Sequence, residues 1–316
     1  MSSPIPTPGD RDPHLVDPAV LTRIGDLELI ARGVVDGFVS GLHRSSHLGL
    51  STDFAEHREY SPGDDVRRVD WRLMARTDRY YVKEFEADTN AAVTVLLDVS
   101  RSMKYGSRGI TKLEYGKMLA ACLLHFSQRQ RDRVGLALFD STLLEVVPPS
   151  VRHLPLILHT LANARAGGAG SLAQPLRDYA AAYPRRSILV VISDLYEEPA
   201  VVINALHALR GQGSEVILWH LLDPAELDFP FSDAASFQDL EGDDVVPVVP
   251  DQLRDRYREL VTAHIAAIEG GVGASGMDYR LFDTRVPLGD ALHAYLARRE
   301  HMLGARGTGA GGGGWG

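Results

Sequence analysis

The chain has 316 residues, with 33 Lys and Arg against 42 Asp and Glu, and a formal charge of −9. That acidic balance argues against nucleic acid or an anionic membrane surface as the main partner. The single cysteine, Cys122, cannot close an internal disulfide.

The first fourteen residues, MSSPIPTPGDRDPH, lack the basic-then-apolar order of a secretory signal. Apolar runs such as Ile188–Ile192 fall far short of the ~18 residues a membrane helix needs, so a cytoplasmic protein without membrane insertion is expected. Residues 1–14 and the tail GARGTGAGGGGWG (304–316) read as disordered ends. Asp17-Pro18 predicts a helix start, followed by an apolar stripe of Val20, Leu21, Ile24, Leu27, Ala31 and Val34. Within residues 41–90 polar and apolar positions mix without a helical period, and YYVKEF (Tyr80–Phe85) alternates like a strand. Residues 15–90 therefore read as a helix and a small β subdomain.

From Ala91 to about 303 the pattern is that of one α/β domain. AAVTVLLDV is a continuous apolar run ending in a carboxylate, the mark of a strand buried on both faces. A helix follows, with Tyr115, Met118, Leu119, Cys122, Leu123 and Phe126 on its stripe. VGLALFD reads as a second buried strand and LLEVVP as a third. Leu154, Ile157, Leu158 and Leu161 predict a helix, and a glycine-rich loop and another helix lead to the buried strand SILVVISD. The helix of Val201, Val202, Ala205, Leu206 and Leu209 precedes EVILWHLLD. Leu253, Tyr257, Leu260, Val261, Ile265 and Ile268 form a late helical stripe, and strand DYRLFD and a helix over Leu288–Leu303 close the chain. Alternating buried strands and amphipathic helices predict a doubly wound, mostly parallel sheet. In such sheets ligands sit beyond the carboxyl ends of the strands, where Asp98 and Asp194 fall.

TVLLDVSRSM places Asp98, Ser100 and Ser102 at alternate positions of a tight loop. A carboxylate and two hydroxyls converging there offer hard oxygen suited to Mg²⁺ or Mn²⁺, with Asp194 as a second carboxylate. The alternative reading is that these residues only cap the following turn.

D-x-S-x-S after the first core strand, with an Asp ending a later one, resembles the metal-ion-dependent adhesion site of von Willebrand factor type A domains. The resemblance implies a metal set of Asp98, Ser100, Ser102 and Asp194. The family's middle motif is a Thr after a glycine-rich turn. Here that position falls on Gly170 in AGGAGSLAQPL, and either the adjacent Ser171 supplies the hydroxyl or no residue does.

Upstream, REYSPGDDVRRVDWRLMART is similar to the signature of the domain-of-unknown-function 58 family through Arg58, Tyr60, Pro62, Gly63, Asp64, Asp65, Arg67, Asp70, Trp71, Ala75 and Arg76. The resemblance covers most of residues 30–300. It implies a von Willebrand type A-like domain that serves as an adaptor for AAA+ ATPases of the MoxR type. Read physically, the near-balanced charges of residues 57–79 form either an ion-pair brace anchored by Trp71 or a partner-docking surface.

Cys122 lies among core positions and reads as a small buried hydrophobe. His43 and His47 have a metal spacing only if helical, and no carboxylate pair completes a site there. His264 reads as a packed histidine. No phosphate-binding P-loop or nucleophile-elbow motif occurs. The expected function is a non-catalytic, metal-dependent protein-binding adaptor. The alternatives are a phosphohydrolase of haloacid-dehalogenase type, which lacks its general acid because Ser100 stands in that position, and a structural module with a degenerate metal site.

Overall fold

The computed structural model describes residues 16–44, 57–59, 74, 79–83, 91–183, 186–211, 213–232, 235–238, 245–248 and 250–295. Of the Arg58–Arg76 signature only Arg58, Glu59 and Met74 fall within them. Tyr60, Pro62, Gly63, Asp64, Asp65, Arg67, Asp70, Trp71 and Arg76 lie outside, as do His47 and both chain ends.

Asp17 caps α1 (Pro18–Leu21) by accepting from the Ala19 amide. The stripe expected to run on from Val20 to Val34 as one helix is broken. Gly25 ends the first turns in the left-handed region (φ 70°), and Asp26 recaps the chain by accepting from the Glu28 and Leu29 amides. The restart at α2 (Leu27–Arg44) rotates the buried face to Ile30, Ala31, Val34, Val35 and Phe38, leaving Val20 and Ile24 exposed. Helix α2 joins the core of the main sheet, where Phe38 meets Phe126 edge-on. The expected strand is β2 (Tyr81–Lys83), paired antiparallel with β1 (His57–Glu59).

The main sheet has six strands: β3 (Ala92–Asp98), β4 (Arg133–Phe139), β5 (Leu143–Ser150), β6 (Ile188–Ser193), β7 (Glu215–Leu222) and β10 (Asp278–Asp283). Their order is β10-β7-β6-β3-β4-β5. All neighbours are parallel except β5, which pairs antiparallel with β4 at the edge. LLEVVP is therefore not the buried strand its composition suggested. An edge strand is covered on fewer sides, so Leu144 stands exposed and Pro148 and Pro149 are tolerated.

Alternation along β3 sends Val93, Val95 and Leu97 to one face and Leu96 to the other. The first face packs against α2, α3 (Lys112–Arg129), α4 (Leu154–Asn163) and the final helix α9, described over 288–295. The second packs against α5 (Ala173–Ala182), α6 (Pro199–Arg210) and the C-terminal end of α8 (Pro250–Ala274). The late stripe is only partly used: Ile268 is buried, as is Val272 one turn on, but Leu253 and Leu260 are exposed, so only the C-terminal end of α8 joins the core. The short α7 (Pro224–Asp228) and the hairpin of β8 (Ala235–Gln238) and β9 (Val245–Val248) complete the fold. The architecture is the α/β doubly wound, mostly parallel sheet that the sequence predicts. Among the described residues no helix is long and apolar enough to cross a membrane.

Candidate metal centre

The strand order reverses between β3 and β6. From β3 the chain proceeds outward to β4 and β5, then returns to β6 on the other side. The helix after β3 covers one face and the helix after β6 the other, so their loops leave the carboxyl ends in opposite directions, the place where ligands sit in such sheets. Asp98 ends β3 and Asp194 follows the last residue of β6. Both are buried, as are Ser100 and Ser102.

The first loop is tightly bound. Asp98 Oδ1 accepts from the Ser100 amide at 2.7 Å, and Asp98 Oδ2 accepts from Ser193 Oγ at 2.6 Å. The Ser100 and Ser102 hydroxyls are 3.1 Å apart, within hydrogen-bond range of each other. Burial first, and the Asp194 charge second, push the Asp98 carboxyl up from 3.8 to about 7, against the opposing hydrogen bonds from Ser193 and Ser100.

The glycine-rich loop reaches the same edge through its backbone. The Gly167 amide donates to Val99 O at 3.1 Å, and the Arg101 amide donates to Gly168 O at 2.8 Å. Gly168 lets Asp140 approach closely, because a Cβ there would sit 2.1 Å from Asp140 Oδ2 and push that side chain aside. Ser171 lies half-buried in this loop. The next amide, Leu172, donates to Glu197 Oε1 on the loop after β6. The three loops that carry the expected ligands are thus tied together.

Asp194 has a partner that sequence reasoning missed. Lys112 Nζ donates to Asp194 Oδ2 at 2.8 Å, to Glu226 Oε1 at 2.7 Å and to Tyr196 Oη at 3.2 Å. The Lys112 side chain is fully buried, with the Tyr196 ring centroid 4.6 Å from the ammonium. Burial pulls its pKa down and the two carboxylates pull it up; the net shift is upward. The sequence held one signal for it, since a lysine in the first turn of a helix opposes the dipole and needs a compensating anion.

Two histidines hold the turn after β6. Burial lowers the pKa of His220 to about 3, so it is neutral. Its Nε2 lies 2.9 Å from Asp194 O, which can only accept, so Nε2 carries the proton and Nδ1 accepts from Tyr279 Oη at 2.8 Å. His264 Nε2 lies 2.7 Å from Leu195 O and likewise donates. Leu195 itself is left-handed at φ 53°, uncommon for a residue other than glycine and sustained here by those bonds and by burial. Cys122 is buried, as expected, and burial raises its thiol pKa.

Among the described residues no three His, Cys, Asp or Glu side chains form a metal-binding group. The donors at this edge are two carboxylates and the serine hydroxyls. That is hard oxygen of the kind Mg²⁺ or Mn²⁺ accepts when water fills the remaining positions. The residues fit a divalent ion.

A protein of Mycobacterium tuberculosis (strain ATCC 25618 / H37Rv) named "Uncharacterized protein Rv1480" is 29% identical over 296 residues, covering 91% of this chain and 92% of its own length. Among solved structures, BatB from Bacteroides thetaiotaomicron aligns with TM-score 0.44 and 17% identity over 65% of this chain and 97% of its own. The SpRpn10 VWA domain aligns with TM-score 0.40 and 12% identity over 64% of this chain and 93% of its own. A family model described as "Protein of unknown function DUF58" matches residues 56–267, about two thirds of the sequence, and the chain belongs to that family.

Proposed function

We propose that this chain is a non-catalytic cytoplasmic adaptor that binds a protein partner through Mg²⁺ or Mn²⁺, and that the partner is an AAA+ ATPase of the MoxR type. The observation that carries the metal reading is the Asp98 carboxylate, buried at the strand end beside a second acid and two converging hydroxyls. Asp98 and Asp194 would hold the ion largely through water, and Ser100 and Ser102 directly. Ser171 is the hydroxyl available from the third loop. When bound, a divalent ion supplies an open coordination position for an Asp or Glu of the partner. The ATPase as partner rests on the family resemblance alone.

Two features favour binding over catalysis. Both Asp98 oxygens already accept hydrogen bonds from the protein, which would hold the carboxylate in place as a ligand rather than leave it free for attack. The position where a dehalogenase-type phosphohydrolase keeps its general acid is Ser100, whose hydroxyl faces Ser102.

Calorimetry with Mg²⁺ and Mn²⁺ on wild type and Asp98→Ala tests the site. Binding that the variant loses is expected, and binding equal in the two sinks the metal reading. Affinity capture with and without chelator tests the partner. A MoxR-type ATPase retained only without chelator is the expected result, and its absence from both eluates would count against the adaptor reading.

A further inference from the structure

We infer that Lys112 is the resident counter-ion of this site and the residue that sets its affinity for a divalent cation; the inference rests on the metal-site reading above. Lys112 stands in the first turn of α3, where the positive end of the helix disfavours a cation, and its side chain has no exposure to water. A lysine is held in such a place only by anions. All three ammonium donor directions are used, on Asp194, Glu226 and Tyr196. Asp223, close by, is engaged elsewhere: its carboxylate takes the Ser107 amide and hydroxyl and caps α7 through the Ala225 amide.

The charges at this edge then explain the arrangement. Asp98, Asp194 and Glu226, with Asp223 close by, outnumber the one ammonium, so the edge carries a negative surplus that a divalent cation would offset. Lys112 already holds one oxygen of Asp194, so an incoming ion competes with it for that carboxylate, while Glu226 retains the ammonium. Glu226 is thereby a positioning residue: it gives Lys112 a second anchor and lets Asp194 serve the ion.

The test reads the sign of three changes by calorimetry with Mg²⁺ and with Mn²⁺ on the full chain. Lys112→Met deepens the negative surplus and is expected to tighten binding by about tenfold or more, because a unit charge this near a divalent ion is weakly screened. Glu226→Gln leaves Lys112 on Asp194 alone and is expected to weaken binding by a similar factor. The double variant restores the surplus and is expected within about threefold of wild type. Glu226→Gln keeps the Lys112–Asp194 and Lys112–Tyr196 bonds, and the double variant leaves no unbalanced ammonium, so these two report even if Lys112→Met alone fails to fold. Thermal melts with and without the ion confirm folding and give a second readout. Unchanged affinities, or changes of the opposite sign, overturn the role of Lys112 while Asp98-dependent binding still stands. Absence of ion binding in wild type and every variant overturns the metal reading and this inference together.

Discussion

Replacing Asp98 by Asn removes a charge that folding works against. The residue is 3% exposed, and burial and the Asp194 charge raise its carboxyl pKa from 3.8 to about 7. A raised pKa means that the folded state holds its proton more tightly than the unfolded chain does. The stability from this group is therefore full below pH 4 and is lost as pH rises from about 4 through 7. About three pH units at ~1.4 kcal/mol each set a ceiling of about 4 kcal/mol at pH 8, of which about 1–3 kcal/mol is expected after relaxation. Asn keeps the shape. Its oxygen can take the Ser100 amide, and its NH₂ can meet Ser193 Oγ, which then accepts as it already does from the Leu195 amide. In chelator at pH 8 the variant should thus melt higher than wild type, by about 2–4 °C per kcal/mol for a domain of this size. The difference should vanish below pH 4. Excess Mg²⁺ should raise the wild-type melt and leave the variant unmoved. A variant no more stable than wild type at pH 8 in chelator, or a gap that persists at pH 4, would refute the argument that Asp98 is an electrostatic liability.

His220 carries the opposite sign. Neutral in the fold down to about pH 3, it should make stability fall as pH drops from 6.5 toward 3, and His220→Gln should flatten denaturant midpoints across that window; an unaltered acid limb would contradict this. Gly106→Ala places a Cβ 2.0 Å from Ile110 O, a backbone atom in the loop that leads into Lys112, and should cost about 2–3 kcal/mol in urea unfolding. Gly167→Ala, with no atom within 4 Å of the new Cβ, should stay within about 0.5 kcal/mol of wild type, and equal costs at the two sites would show that the loop gives way freely.

The core strands and the carboxylates at their ends are legible in the order of residues alone. Strands buried on both faces read as unbroken apolar runs, and AAVTVLLD and SILVVISD each stop at an acid. Local pattern misleads where it parts from environment. The apolar letters of LLEVVP do not reveal an edge position, and the stripe after Pro18 hides the reset at Gly25 and Asp26. The stripe of α8 likewise does not say which end of it joins the core.

The sequence by itself determined the α/β class, the acids at the strand ends and the serine loop, because each is written in neighbouring residues. Tertiary structure alone decided that β3 and β6 are neighbours, which sets Ser193 beside Asp98. It also decided that Lys112 reaches Asp194, 82 positions away, and Glu226, 114 positions away. Periodicity is a property of the local chain, whereas the partner of a buried charge is chosen by strand order and loop packing, and no local pattern records that choice.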